Sequence, residues 1–307
     1  MTELTKKDFI IEGAGLKNET RFAAKPVSYL QDAWRRFRKN KVALFSAILL
    51  LLIIGMVFLG PVFSPYSIED VADTSIRNAA PGAEHIFGTD TLGRDLFVRV
   101  CEGGKVSIAI GLAGALISVV AGCIYGGVSA LLGGKADNVM MRIVDILSSV
   151  PNILLVILIS VVIDSKSVAT LLFALTITGW CPTARIVRSQ MLGITKSDYV
   201  LAARLMGIGN FKIILRHLIP NSISVIIVDL TFRIPGFIFS EAFLSYVGLG
   251  VQPPQTSWGA LAAGAQSMYQ FYPNQLLFPA GMIALTMLAF TLLGDGLRDA
   301  LDPKLRR

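Results

Sequence analysis

Charged side chains are scarce in this sequence. Asp, Glu, Lys and Arg make up 16% of its 307 residues, against 53% hydrophobic residues; a soluble domain carries about a quarter charged residues. That shortage excludes an ordinary water-soluble domain and points to an integral membrane protein. Cysteine is also rare. Cys101, Cys123 and Cys181 are far apart and form no CxxC or Cys/His pattern. Neither a disulfide framework nor a zinc site is read from them, and small buried thiols are the simple reading. The two histidines, His85 and His217, give no HExxH pair and no metal site. His217 reads as a solvated or interfacial side chain. Phosphate-loop and nucleophile motifs are missing too. "GGKVS" at 103–107 and "GGK" at 133–135 lack the upstream glycine of GxxxxGK[ST], and no GxSxG occurs. The chain therefore reads as no enzyme. A cleavable signal peptide is not expected, because the first apolar run opens at Val42 behind a long charged tail.

What the sequence has is length of apolar run. About 20 apolar residues cross a bilayer, and six segments qualify: 42–60, closed by Pro61; 106–132; about 139–163, with a kink expected at Pro151; 168–190; about 222–247; and 276–294. The short 164–167 link makes the third and fourth a tight hairpin. An even number of spans puts both termini on one side, and the Lys and Arg residues say which. Of the 28 in the chain, 22 fall on the tail 1–41, the 133–142 link, the 185–221 segment and the C-terminal end. Five face the other way, and Arg233 lies within the fifth span. The positive-inside rule then places both termini and 185–221 in the cytoplasm, with 61–105 and 248–275 outside. The net charge of +7 reflects this bias rather than nucleic-acid binding.

The second span carries Gly114, Ser118, Gly122, Gly126, Ala130 and Gly134 at every fourth position. Apolar helices gain nothing from leaving lipid for one another, so close backbone approach must drive their packing, and a stripe of small residues supplies it. The fifth span holds Asp229 and Arg233, four apart and so on one helical face, with Glu241 nearer its outer end. Such residues are costly in lipid and face a cavity or a partner. Two readings stay open: an internal Asp–Arg pair that fixes packing, or a face lining a translocation pathway. Asp145 is placed to pair with Arg142. In the outer segment, Gly88 and Gly93 suggest turns, and Thr89, Asp90, Arg94 and Asp95 lie among them. They form either a connector with self-paired charges or part of an external gate or docking surface.

Between the fourth and fifth spans stands "TKSDYVLAARLMGIGNFKIILRHLIPN". Ser197 or Asp198 can cap a first helix and Gly207 can end it. Asn210 can cap a second, which must stop or bend near Pro220. Leu201, Leu205, Met206 and Ile208 give an apolar patch that a solvated loop would not need. Arg204 is placed to pair with acids on a partner. Spans begin at once on both sides, so the element is no DNA-binding helix-turn-helix. It is either a surface connector or a docking element for another protein.

The run "AARLMGIGNFKIILRHLIPN" resembles the cytoplasmic EAA loop of ABC importer permeases. Ala202, Ala203, Gly207 and Pro220 match that loop, and Leu201 stands where it has an acid. "HIFGTDTLGRDLFVRV" (85–100) resembles the GTDxxGRD signature of the C-type permeases of dipeptide and oligopeptide importers. "EAFLSYVGLGVQPPQTSWG" (241–259) and "LLGDGLRDALDPKLR" (292–306) resemble the fifth-span end and C-terminus of the same family. The resemblance implies an all-α, six-span type I ABC importer subunit: a cytoplasmic tail (1–41), an added first helix (42–60), an extracytoplasmic segment (61–105) and a five-helix permease core (106–307) containing a coupling loop (191–221). It implies a second homologous permease, two cytoplasmic ATP-binding subunits carrying ATP and Mg, an external solute-binding protein and a peptide substrate. It implies no cofactor in this chain and a multi-pass location in the plasma (inner) membrane of a prokaryote. Leu201, Ala202, Ala203, Arg204, Met206, Gly207, Ile208 and Phe211 would seat in a cleft on one ATPase. Nickel or another small solute is the alternative substrate within the family. A stand-alone channel or secondary carrier is the alternative of another class.

Overall fold

The computed structural model describes residues 29–68, 73–163, 167–253 and 255–302. The first 28 residues of the basic tail, Lys166 in the third-to-fourth link, and the terminal Lys304, Arg306 and Arg307 lie outside the described residues. Every regular element among the described residues is a helix, with a single isolated bridge between Thr89 and Asp95 as the strand-like pairing. Helix α1 (Tyr29–Lys39) precedes α2 (Lys41–Phe63), and between them Asn40 turns the chain, its side chain accepting hydrogen bonds from the Val42 and Ala43 amides. Then follow α3 (Leu96–Leu132), α4 (Gly134–Ser149), α5 (Asn152–Ile163), α6 (Val168–Gly179), α7 (Cys181–Ile194), α8 (Asp198–Leu205), α9 (Asn210–Ile213), α10 (Ile219–Tyr246), α11 (Trp258–Ala265) and α12 (Pro273–Leu301).

Among the described residues, four helices are long and apolar enough to cross a bilayer: α2, α3, the continuous stretch Asn210–Tyr246, and α12. Two bent helix pairs pass the same test when each is taken as one span, which makes up to six. Helices α4 and α5 meet at 76° and α6 and α7 at 41°. The first bend is at Pro151, as the sequence predicts. The second is not legible as a break in apolar character; it falls at Trp180, two residues before Pro182, whose ring and missing amide interrupt the ladder. Two prolines act less sharply than their positions suggest. Helix α2 runs through Pro61 to Phe63. At Pro220 the chain neither stops nor bends sharply, because a π-helical turn over Ile214–Leu218 leads straight into α10 and absorbs the irregularity. Helix α3 begins at Leu96, ten residues ahead of the apolar run, where Arg99, Glu102 and Lys105 hide the helix from a hydropathy reading.

Helix α3 is the centre of the packing. A Cβ added at Gly126 would sit 2.5 Å from the Ala184 carbonyl oxygen, and one at Gly122 would sit 2.5 Å from the Thr183 side chain. Gly114 lies equally close under the Phe237 ring of α10. The small-residue stripe is thus a helix–helix contact from Gly114 to Ala130. Gly134, its last member, instead joins Gly133 in a left-handed turn (φ 55° and 63°) that starts α4. Side chains such as Leu51, Leu52 and Phe63 point outward, which suits a hydrocarbon solvent.

The segment between α10 and α12 contains an element the sequence did not show. Helix α11 is wedged against α3, α10 and α12, with Trp258 fully buried and its indole Nε1–H donating to the Val100 carbonyl at 2.8 Å. Ser257 caps it through the Ala260 amide, and Gly259 lets it lie directly on the α10 backbone at Ala242. Near the α7 end, Asp145 pairs with Arg185 at 2.9 Å rather than with Arg142, so this ion pair joins two helices instead of one turn.

Gly126→Leu puts a branched side chain into the α3–α7 backbone contact. Overpacking of this kind costs about 1–3 kcal/mol, and the midpoint of thermal unfolding of the purified protein in detergent should fall. A variant as heat-resistant as the parent would show that the contact is not tight.

Candidate functional site

Helices α8 and α9 form a hairpin at one end of the helix bundle. Met206 closes α8, Gly207 takes the left-handed conformation (φ 74°), and two bonds lock the turn: Gly207 N–H to the Arg204 carbonyl and Ile208 N–H to the Ala203 carbonyl. This is the Schellman arrangement, in which the glycine carries no steric penalty. Ser197 precedes α8 without a side-chain cap, and Asn210 is the first residue of α9 rather than its cap, which is Gly209.

The hairpin has two faces. Val200, Ala203, Ile213, Ile214 and Leu218 are buried with Met191, Ala130 and Leu131. Ala203 therefore faces the chain's own core, and Ala202 is exposed. On the outer face Leu205 and Met206 are 80% and 72% exposed, with Phe211 at 65% and Leu201 at 55%. Arg204, expected to await an acidic partner, donates from Nη2 to the Leu131 carbonyl at 3.0 Å. It ties α8 to the last turn of α3, whose terminal carbonyls lack helical donors.

The charges of the fifth span lie deeper. Arg233 Nε donates to Asp229 Oδ2 at 2.8 Å, Thr183 of α7 donates to the same oxygen at 2.7 Å, and Arg233 Nη1 donates to the Gly179 carbonyl at 3.1 Å. Gly179 is the last residue before the α6–α7 break, so the arginine satisfies a carbonyl that the bend leaves open. Two cavities flank this pair. One, of about 440 Å³, is lined by Arg233 with Ser148, Pro151, Asn152, Thr178 and Phe237. The other, of about 700 Å³ and nearer the α8 end of α10, is lined by Asp229 with Gln190, Asn221, Ser224, Arg298 and Asp302. Phe232 lines both. The pair is an internal ion pair, and each member also lines a cavity.

Glu241 stands apart. It is fully buried, accepting from Ser107 of α3 and Ser245 at 2.8 Å each, while Ser107 in turn accepts from the Trp258 amide. It lines neither cavity and clamps α3, α10 and α11 together.

The outer segment is self-paired. Asp90 accepts from the Leu92 and Arg94 amides and from Arg94 Nε, and Asp95 caps α3 at Val98 while meeting His85 Nδ1 at 2.9 Å. Tyr66 stacks on the His85 ring with centroids 4.5 Å apart. The Thr89 hydroxyl joins the Ile76 carbonyl and the Ala79 amide. Gly88 and Gly93 have φ near 80°, and the Asp73 carbonyl fills the space a side chain at Gly93 would need. Gln275 donates to Asn78 Oδ1 and the Thr89 carbonyl, which pins the segment to α12.

One buried network escaped the sequence reading. Arg188 of α7 grips both carboxylate oxygens of Asp137 on α4, and Ser129 of α3 donates to Asp137 at 2.6 Å. Asp137 and Arg188 are 51 residues apart, so no local spacing signals them. Among the described residues no group of three or more His, Cys, Asp or Glu side chains is placed to hold a metal ion.

Long apolar helices with interrupted partners around paired charges define an integral membrane permease. Residues 114–307 match the binding-protein-dependent transport system inner membrane components, and residues 28–81 match the N-terminal TM domain of oligopeptide transport permease C. The chain is 44% identical over 309 residues to the oligopeptide transport system permease protein OppC of Bacillus subtilis (strain 168), covering 100% of both chains. It is 47% identical over 282 residues to the dipeptide transport system permease protein DppC of the same organism, covering 92% of this chain and 88% of that one. The fold is shared with the MetNI methionine ABC transporter in inward-facing conformations, with a TM-score of 0.54 at 19% identity over 66% of this chain and 96% of that one. The chain belongs to the family of binding-protein-dependent transport system inner membrane components.

Arg204→Ala removes the bond between α8 and α3. A hydrogen bond of this kind contributes about 1 kcal/mol, so the α8 amides should exchange with deuterium about fivefold faster. Unchanged protection would show that the buried face alone holds the hairpin.

Proposed function

We propose that this chain is the membrane-spanning permease subunit of an ATP-driven peptide importer, and that α8–α9 couples it to a cytoplasmic ATPase. The carrying observation is the hairpin with an exposed apolar tip, on a chain alike over its whole length to a permease named for oligopeptide transport and over 92% of it to one named for dipeptide transport. A solvated loop has no use for Leu205, Met206 and Phe211 on its surface, whereas an ATPase cleft buries them. Because Leu201 replaces an acid and Arg204 is engaged within the chain, docking rests on apolar contact more than on charge.

In this reading the N-terminal tail, α8–α9 and the C-terminus are cytoplasmic, and the segments 61–105 and 248–275 face outward, in the plasma membrane of a prokaryote. A second, similar permease forms the other half of the pathway, two ATP-binding subunits hold ATP and Mg, and an external solute-binding protein delivers the peptide. The Asp229–Arg233 face of α10 lines the pathway, and the Gly88–Asp95 motif is part of the outer docking surface. A nickel or other small-solute importer would share this architecture and differ in the solute accumulated. A stand-alone channel or carrier would transport without ATPase subunits.

The double variant Leu205→Glu, Met206→Glu leaves the buried face of the hairpin intact. Burying each of these side chains contributes about 1.5–3 kcal/mol, so co-purification of the ATPase subunits should fall at least about tenfold, with ATP-driven uptake lost in parallel. ATPase recovery equal to the parent's would overturn the coupling role.

A further inference from the structure

We propose that Asp229 and Arg233 form a two-ended recognition site for a ligand carrying both a free carboxylate and a free ammonium group, as the termini of a short peptide do. The inference rests on the peptide-importer reading above and assigns it a site. Each charge keeps capacity in reserve. Asp229 Oδ2 takes both Thr183 and Arg233, and Arg233 spends Nε on Asp229 and Nη1 on Gly179. Among the described residues, Asp229 Oδ1 and Arg233 Nη2 take no hydrogen bond. The spare groups belong to residues that line different cavities, Arg233 the 440 Å³ space and Asp229 the 700 Å³ space, with Phe232 between them. Both volumes lie in the range of small-molecule sites.

Asp137 and Arg188 line neither of these cavities. The Asp229–Arg233 pair sits where α6 breaks, beside the α4–α5 break at Pro151, with polar side chains Ser148, Asn152 and Thr178 around it. Interrupted helices and exposed carbonyls at membrane depth occur where backbone lines a cavity. The energetics favour a ligand of both signs. Opening the pair for a lone anion or cation leaves one charge unpaired in low dielectric, which is strongly destabilising. A zwitterion replaces both partners together: its carboxylate takes the planar Arg233 fork and its ammonium takes Asp229, so no charge is left uncompensated.

The test uses the complete transporter with its partner subunits in proteoliposomes, comparing ATP-driven uptake of trialanine with trialanine amide and with N-acetyl-trialanine. Each ratio of free to blocked peptide cancels the preference of the binding protein. Arg233→Gln should lower the free-to-amide ratio about tenfold, and Asp229→Asn should lower the free-to-acetyl ratio about tenfold. Ratios equal to the parent's overturn the site. If Arg233→Gln fails to assemble, Arg233→Lys keeps the charge and loses the fork, and its free-to-amide ratio should fall a few-fold; an unchanged ratio again overturns the site. A parent complex that carries no form of trialanine would remove the peptide reading itself. Leucine and leucinamide then serve in the same comparison, since the site asks only for the two charged groups.

Discussion

Gly122 and Gly126 let the backbone of α3 run directly against Thr183 and Ala184 of α7, and most of the chemistry is positioned from that contact. Thr183 holds Asp229, and Gly179, just before α7, receives Arg233. Arg188, one turn beyond Ala184, reaches Asp137 at the start of α4. The last turn of α3 catches Arg204 of the hairpin. Helices in lipid gain nothing from hiding apolar surface from one another, so a contact between them must come from close packing or from polar bonds. Here small residues bring the backbones together, and polar bonds form around the place where they meet.

The second constraint is the cost of charge away from water. Three acidic side chains, Asp137, Glu241 and Asp229, are largely buried, and each is met differently. Asp137 is gripped by one arginine on both oxygens and by a serine. Glu241 is met by hydroxyls of Ser107 and Ser245 and, among the described residues, by no cation. Asp229 has an arginine and a threonine on one oxygen alone. In the first two, both carboxylate oxygens are bonded. The third is incomplete and lies between cavities, and that difference separates a structural pair from a candidate binding pair.

The apolar runs were legible because a span is a property of length and composition, and the small-residue stripe was legible because its period is local. The i,i+4 pair of Asp229 and Arg233 was legible for the same reason, as was the glycine turn at Gly207. What escaped is non-local or depends on backbone geometry. Asp137 with Arg188, and Asp145 with Arg185, join different helices, so nothing in their neighbourhoods announces them. Helix α11 has eight residues, of which Trp258, Gly259, Leu261, Ala262 and Ala265 are buried; buried nearly all round, it has no apolar period to read. Ala203 was placed on the docking face because small residues permit close approach. The approach it permits is to the chain's own core.

Asn210 to Tyr246 is one helical stretch, and this continuity bears on how events at the hairpin reach the charge pair. Phe211 and Arg233 are 22 positions apart on it, about 33 Å along a helix. A rigid rod of that length carries a displacement at one end to the other, and α8 moves with it because the Schellman turn and the shared core fix the two helices together. The π-helical turn at Ile214–Leu218 is the weak point of the rod, the place where one helical register can change into another. It lies just beyond the exposed tip of the hairpin and just before Pro220, whose missing amide removes a bond that would stiffen the joint. Under the proposed function, a shift of register there would rotate α10 and turn Asp229 and Arg233 relative to Thr183 and Gly179. Closing of the ATPases would thus act on the bonds that hold the pair, without any moving part inside the pathway other than α10 itself.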